Sequence, residues 1–154
     1  MADKALVKIA LDKAMVQCSR REFCCEDIRS KLSLWGVEHN DAEKIIGTLI
    51  KENFINESRY AIAFVRDKIK YNKWGKIKIE SHLRAKKLSV DVISSALNSI
   101  DNEQYIKLLR GLIEGHRRTI KAKNQYDLKA KLLRFGLSRG FESSLVYDIL
   151  NELD

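Results

Sequence analysis

The sequence contains no proline, seven glycines and three cysteines, and it has no long apolar run. The absence of proline excludes a proline-rich linker, and no stretch approaches the ~20 apolar residues of a membrane span. Because the cysteine count is odd and Cys24 and Cys25 are adjacent, we expect no disulfide framework. The first ten residues mix acidic, basic and apolar side chains, unlike a signal peptide. We therefore expect a cytoplasmic protein with no membrane segment.

Residue patterns that support catalysis or metal binding are also lacking. Cys18, Cys24, Cys25 and His39 are the only group of soft ligands, and their spacing matches no zinc motif. No glycine-rich phosphate loop, nucleophile elbow or paired-histidine motif is present, and no pair of carboxylates stands out. The sequence therefore predicts that the protein is not an enzyme and has no metal or cofactor site.

What the sequence does contain is an apolar skeleton that occurs three times. The second copy follows the first by 51 residues without a gap, and the third follows the second by 53. The copies are Ile28, Leu32, Val37, Ala42, Ile45, Ile46 and Leu49; Ile79, Leu83, Leu88, Ile93, Ala96, Leu97 and Ile100; and Leu132, Phe141, Val146, Ile149, Leu150 and Leu153. A shift of 49 from the second copy would instead align Leu128, Leu132 and Leu137, but it places Glu142 at the position of Ala42 and Ile93. A fixed period of this size predicts stacked copies of one supersecondary unit.

Helical periodicity runs through almost the whole chain, and no segment alternates apolar and polar residues as a strand would. Asn56 or Ser58 can cap the fourth helix and Ser89 the sixth. The predicted helices cover 3–18, 25–35, 40–52, 57–72, 76–86, 89–100, 102–123, 126–138 and 143–152. The predicted fold is all-α, with three tandem three-helix repeats (1–53, 54–100 and 101–154) forming one elongated, curved body. The alternative is an ordinary helical bundle with a coincidental repeat.

Positive charge is concentrated in the later part of the chain. Residues 1–58 hold nine Lys and Arg against ten Asp and Glu, whereas residues 59–154 hold 20 against 11. The net charge of +8 could serve solubility alone, but its uneven distribution favours a polyanionic partner, with nucleic acid first.

The most strongly basic helix face is expected in 57–72. At about 100° per residue, Arg59, Arg66 and Lys70 project together opposite the apolar face, with Lys73 close behind. A solvated face is the alternative, but such faces usually mix signs of charge. Cations at this spacing can follow a phosphate backbone or an acidic protein groove.

A tryptophan lies among further cations at 72–78. Trp74 could stack on a base, although burial is the better interpretation for it and for Trp35. Lys73, Lys76 and Lys78 are expected to be exposed in either case. In the helix 102–123, Glu114 interrupts the basic face, so a solvated surface is favoured there. His116 falls on the apolar side of that helix and is expected to be packed.

The stretch 54–61 (Phe-Ile-Asn-Glu-Ser-Arg-Tyr-Ala), followed by 64–66 (Phe-Val-Arg), resembles the signature of the RecX regulatory proteins. So do 74–79 (Trp-Gly-Lys-Ile-Lys-Ile), Leu83-Arg84 and 86–88 (Lys-Lys-Leu), while 139–141 (Arg-Gly-Phe) resembles that family's motif in the third repeat. The sequence departs from the family where Glu57 replaces an aspartate, Cys24 a Ser/Thr-like cap, Lys87 a glycine and Gly136 a leucine.

The resemblance implies tandem three-helix repeats that modulate the recombinase RecA. It implies binding within the groove of the RecA–single-stranded DNA filament, with inhibition of ATP hydrolysis, strand exchange and co-protease activity, and direct DNA binding in some members. We expect a monomer that needs no cofactor. The residues expected to contact the filament are Arg59, Arg66, Lys70, Lys73, Lys76, Lys78, Arg84 and Lys86.

Overall fold

The computed structural model describes residues 3–153, which form nine α-helices and no strand. The helices are α1 (Lys4–Arg20), α2 (Cys25–Leu34), α3 (His39–Lys51), α4 (Glu57–Asp67), α5 (Lys76–Ala85), α6 (Val90–Asn98), α7 (Asn102–Arg117), α8 (Gln125–Ser138) and α9 (Ser143–Asn151). A π-helical turn, Lys68–Asn72, follows α4 directly. The predicted all-α class is therefore confirmed, and no helix within 3–153 is long and apolar enough to cross a membrane.

Three left-handed backbone turns mark the sequence repeat in the structure. Gly36, Lys87 and Gly140 have φ angles of 83°, 62° and 92°. They precede α3, α6 and α9, and they are spaced by 51 and 53 residues. This spacing supports the register of 53 over that of 49 for the third copy. Lys87 adopts a conformation that glycine reaches without the steric cost of a Cβ atom.

Most of the repeated apolar positions are buried. All seven positions of the first copy are buried, and only Leu97 and Ile100 of the second copy and Leu153 of the third are half-buried. The spacing of apolar residues thus identified the core positions, because each helix must turn its apolar face inward.

Two predicted helices end earlier than expected. The helix predicted over 57–72 is α-helical only to Asp67 and continues as the π-helical turn. The helix predicted over 102–123 ends at Arg117, where the carbonyl of His116 accepts hydrogen bonds from the Thr119 hydroxyl at 2.9 Å and the Thr119 N–H at 3.0 Å. A threonine side chain competes for backbone groups in this way and favours helix ends.

The predicted caps are present where the sequence placed them. The Asn56 side chain accepts a hydrogen bond from the Arg59 N–H at 3.0 Å, and the Ser89 hydroxyl accepts one from the Val92 N–H at 3.2 Å. Cys24 occupies the N-cap position of α2, where the Asp27 carboxylate accepts the Cys24 N–H at 3.3 Å. Glu57, at the start of α4, accepts the Cys25 N–H at 3.2 Å.

The described chain divides into two compact units. The first contains the described residues up to Ala63 together with Leu83–Ile93, and the second contains Phe64–His82 together with the described residues from Ser94 onward. The residues of the predicted middle repeat, 54–100, contribute to both units. Much of the first core comes from α1, α2 and α3, and much of the second from α7, α8 and α9.

Gly136 allows α8 to approach α9 closely in the second unit. A Cβ atom at Gly136 would lie 2.9 Å and 3.0 Å from the two Cγ atoms of Val146, which is fully buried. These distances are too short for ordinary packing, so a leucine could not replace this glycine without moving α9. The loss of the family's leucine is therefore compatible with a well-packed third repeat.

We expect Gly136→Ala to destabilise the protein by about 1–2 kcal/mol, because overpacking at Val146 outweighs the helix propensity of alanine. Urea denaturation measures the change. The matched control is Gly115→Ala on α7, where a Cβ atom meets nothing within 4 Å; it should stabilise by about 0.5–1 kcal/mol. Equal effects of both substitutions would contradict the close approach of α8 and α9.

Candidate partner-binding surface

The loop that joins the π-helical turn to α5 is fixed by backbone hydrogen bonds within the second unit. Lys73 is left-handed, with φ of 57°, and the Trp74 N–H donates to the Lys68 carbonyl at 3.2 Å. The Gly75 N–H donates to the Arg139 carbonyl at 2.7 Å, and the Ile77 N–H donates to the Gly140 carbonyl at 2.9 Å. The Trp74 backbone is therefore held on both sides.

Two glycines make this contact possible. A Cβ atom on Gly75 would lie 2.3 Å from the carbonyl carbon and oxygen of Gly140, and one on Gly140 would lie 2.3 Å from the Cβ of Lys78. The Arg139 guanidinium adds a further link, because its Nη2 donates to the Asn72 carbonyl at 2.6 Å. No side chain of any size fits at either glycine.

Trp74 lies among cations and is half-buried, so the prediction of a buried core tryptophan is only partly met. The Nζ atoms of Lys68 and Lys78 lie 4.8 Å and 4.7 Å from the centroid of its ring. The His82 ring is tilted against it at 4.5 Å. Each lysine is within cation–π range, so the indole positions the two ammonium groups. Trp35 is likewise half-buried, against the first core.

Tyr105 holds the start of α5 through a hydrogen bond to its backbone. Its hydroxyl accepts the Lys76 N–H at 2.9 Å and donates to the Glu142 carboxylate. Burial, followed by the hydrogen bond to Glu142, raises the pKa of Tyr105 far above its ordinary value, so the phenol stays neutral. The Lys76 ammonium lies 4.8 Å from the Tyr105 ring centroid, which fixes this cation too.

Five of the eight predicted contact residues lie in the second unit, within residues 66–78. Arg66, Lys70 and Lys73 are exposed, and Lys76 and Lys78 are half-buried. With Lys68, which is not among the predicted contact residues, this stretch holds six cations and one acid. We call residues 66–78 the basic segment. The predicted alignment of Lys70 and Lys73 with Arg66 assumed a regular α-helix, and the π-helical turn changes the rotation per residue after Asp67.

The other three predicted residues lie in the first unit. Arg59 forms an ion pair with Glu22 and also donates to the carbonyl oxygens of Asn53 at 3.2 Å and Phe54 at 3.3 Å. These bonds stabilise the connection between α3 and α4, so Arg59 has a structural role. Arg84 is exposed.

Lys86, the eighth predicted residue, is held by an acidic side chain. Its Nζ lies 2.6 Å from the Asp27 carboxylate. Burial acts to raise the pKa of Asp27, but the hydrogen bonds from Lys86 and from Cys24 together lower it below its ordinary value. The hydrogen bond to Asp27 also raises the pKa of Lys86. The pair tethers the end of α5 to the start of α2 within the first unit.

We expect Asp27→Asn to destabilise the protein by about 1 kcal/mol at pH 7, a value kept low because Lys86 is 42% exposed. Since folding lowers the pKa of Asp27, its contribution is present above pH ~4 and is lost as the pH falls through the lowered value. Since folding raises the pKa of Lys86, its contribution is present below pH ~10 and is lost above the raised value. Urea denaturation midpoints of the unmodified protein and of Asp27→Asn are measured from pH 2 to 7. The two midpoints should converge at acidic pH. A constant difference would contradict this assignment.

The three cysteines are free thiols in an unreactive setting. Burial, with nearby carboxylates, raises the pKa of Cys24 to about 11 and that of Cys25 to about 12. A protonated thiol is a poor nucleophile and metal ligand. Across residues 3–153, no group of three or more His, Cys, Asp or Glu side chains is arranged to hold a metal ion.

The fold and the basic segment define an all-α protein of three-helix repeats with a cationic surface. Family models of the second and third three-helix domains of RecX match residues 56–97 and 102–150. The regulatory protein RecX of Clostridium botulinum strain Eklund 17B is 34% identical, over 99% of this chain and 72% of that relative. The chain belongs to the RecX family of regulatory proteins. Those relatives are named as regulatory proteins and not as enzymes.

Solved structures show the same fold. A crystal structure of regulatory protein RecX matches with a TM-score of 0.86 and 24% identity, over 96% of this chain and 72% of that one. RecX from Lactobacillus salivarius matches with a TM-score of 0.83 and 20% identity, over 97% of both chains. Together with the two matched three-helix domains, these structures confirm the three-helix repeat predicted from the spacing of apolar residues.

Proposed function

We propose that this chain binds the RecA–single-stranded DNA filament and inhibits its ATPase, recombinase and co-protease activities. It would act in the cytoplasm as a monomer that restrains recombination, DNA repair and the SOS response. Membership of the RecX family supports the regulatory role, and the basic segment supports a polyanionic target. The observation that carries the proposal is the fixed array of Lys68, Lys76 and Lys78 around Trp74 and Tyr105.

The array is suited to a filament of protein and DNA for a physical reason. Ammonium groups positioned by aromatic rings lose less conformational freedom on binding than free lysines do. Exposed Arg66, Lys70 and Lys73 extend the charge along the same segment, where they can contact phosphates or acidic side chains. Binding across neighbouring RecA subunits would resist the conformational cycle that accompanies ATP hydrolysis.

The test is the DNA-stimulated ATPase of a preformed RecA filament on single-stranded DNA. Substoichiometric amounts of the protein should lower the steady-state rate and also slow strand exchange. Addition before and after filament assembly separates a block to extension from an effect on the assembled filament. An unchanged ATPase rate at equimolar protein would reject the proposal.

A second candidate is a DNA-binding architectural protein that acts without RecA. The half-exposed Trp74 between two lysines favours it, since aromatic rings flanked by cations also bind single strands directly. Such a protein should bind naked DNA at least as tightly as the filament, with a steep dependence on salt. Affinities for both targets, measured over a range of salt concentrations, distinguish the two candidates.

A further inference from the structure

A cleft in the second unit lies apart from the basic segment in sequence. It is a shallow depression, open to solvent, formed where α7 ends beside α8, with a volume of about 470 Å³. Its lining residues are His116, Ile120, Lys131, Arg134, Phe135 and Ser138.

One wall of the cleft is an aromatic pair. The rings of His116 and Phe135 are stacked with their centroids 3.9 Å apart and their planes 10° from parallel. Both residues are only half-buried, and Ile120 beside them is half-buried too. Half-exposed rings of this kind can take another planar ring by stacking, as nucleobases do on aromatic side chains.

The other lining groups favour an anion. Arg134 is exposed, and no hydrogen bond or ion pair engages its side chain anywhere in 3–153. Lys131 is held in place, because its Nζ donates to the Lys121 carbonyl at 2.7 Å and pairs with Asp127 at 3.2 Å. An ammonium group has three donors, so a third proton stays available. The Ser138 hydroxyl already donates to the Phe135 carbonyl at 2.8 Å, so the donors for an anion are Arg134 and Lys131.

Asp127 offsets one of these two positive charges, so Lys131, Arg134 and Asp127 together carry a net charge of +1. Its carboxylate accepts the Lys123 N–H at 3.0 Å as well as the Lys131 ammonium. The backbone hydrogen bond, followed by Lys131 and by the more distant charge of Arg134, lowers the pKa of Asp127. Asp127 is therefore an ionised partner that fixes Lys131. Arg117 and Arg118, exposed at the end of α7, add two more cations close by in sequence. The cleft thus combines a stacking surface, an exposed guanidinium that makes no hydrogen bond or ion pair within 3–153, and a fixed ammonium.

We propose that this cleft binds a single nucleotide, with the base against the His116–Phe135 pair and its phosphate on Arg134 and Lys131. A guanidinium binds phosphate through two parallel N–H donors, and the exposed Arg134 side chain can supply them. The nucleotide could be free or part of a single strand, since both offer the same base and phosphate. The inference does not rest on the action proposed for the filament, and its test contains no RecA.

The experiment is an NMR titration of the ¹⁵N-labelled protein with deoxyadenosine monophosphate, with a single-stranded oligonucleotide of five nucleotides, and with deoxyribose 5-phosphate. The first two should shift the amides of Ile120, Arg134 and Phe135. The sugar phosphate, which has no base, should bind at least about fivefold more weakly than the free nucleotide, a factor equivalent to ~1 kcal/mol of stacking. Saturation by the free nucleotide identifies a mononucleotide site, and saturation by the oligonucleotide alone identifies a site for a strand.

Two substitutions separate the parts of the site. Arg134→Gln and Phe135→Leu should each lower affinity by about fivefold or more. Lys107→Gln on α7, which removes an exposed cation outside the cleft, should leave it unchanged. Circular dichroism checks that each variant is folded, and the titrations of the unmodified protein need no variant. Equal binding of the sugar phosphate, equal shifts by a polyglutamate peptide, or shifts confined to other amides would overturn the proposal.

Discussion

Gly75→Ala is expected to destabilise the protein by about 3 kcal/mol or more. The added Cβ atom would lie 2.3 Å from the backbone of Gly140. A flexible side chain could move aside, but a backbone carbonyl can give way only if the two segments separate. Separation would stretch the hydrogen bonds from Gly75 and Ile77 to residues 139 and 140.

Urea denaturation followed by circular dichroism measures this loss. The matched control is Gly111→Ala on α7, where a Cβ atom meets nothing within 4 Å, and which should stabilise by about 0.5–1 kcal/mol. If Gly75→Ala left the free energy of unfolding within about 1 kcal/mol of the unmodified protein, the close approach of Gly75 to Gly140 would be wrong. A milder effect on stability with a large loss of filament binding would instead show that the loop relaxes and displaces Trp74.

Replacing Lys68, Lys70, Lys73 and Lys78 together with glutamine is expected to lower affinity for the RecA–DNA filament about 100-fold. The estimate assumes that each of these lysines contributes ~0.7 kcal/mol to binding, in the range of single ionic interactions at a partly exposed interface. Stability should fall by no more than about 1–2 kcal/mol, because Lys70 and Lys73 are exposed and the contacts of Lys68 and Lys78 with the half-buried Trp74 ring are worth ~0.5–1 kcal/mol each. The dependence of binding on salt should also weaken, by ~0.7 in the logarithmic slope for each phosphate of the single strand that is no longer neutralised.

The control must remove equal charge from elsewhere. Exposed lysines of the first unit provide it, namely Lys4, Lys8, Lys44 and Lys51. Their replacement by glutamine changes the net charge by the same amount and should lower filament affinity by less than about threefold. An equal loss of affinity in both variants would assign the effect to overall charge. No loss in either variant would show that the basic segment is not part of the binding surface.

The sequence was sufficient for the helices and the core because these depend on local periodicity. It was not sufficient for the roles of individual cations, which depend on neighbours distant in the chain. The contact of Arg59 with the filament stays a prediction, but the sequence did not show that Glu22, 37 residues away, pairs with this side chain. Lys86 is similarly held by Asp27, 59 residues away. Nothing in the spacing of this arginine or this lysine could indicate these partners.

The π-helical turn and the cleft were not predicted, for related reasons. A regular helix was the natural expectation through residue 72, so Lys68 was not placed beside Trp74. His116 was correctly expected on the apolar side of its helix, but its stacking partner Phe135 belongs to the next helix. A pair formed across two helices has no signature in the spacing of either one.

Lys87 has a consequence for how much mutation this chain can tolerate. Its backbone is left-handed, which costs free energy for a residue with a Cβ atom. Its exposed side chain forms only a weak ion pair with Glu26, with Nζ 3.7 Å from the carboxylate. Replacement by glycine would therefore raise the free energy of unfolding by up to ~1 kcal/mol. The corresponding positions in the other repeats, Gly36 and Gly140, are already glycines, so no stability can be gained there in this way. A protein with Lys87→Gly should therefore stay folded with a second, destabilising substitution such as Gly136→Ala over a wider range of conditions than the unmodified protein does. The middle turn is thus a natural starting point for laboratory evolution of this fold.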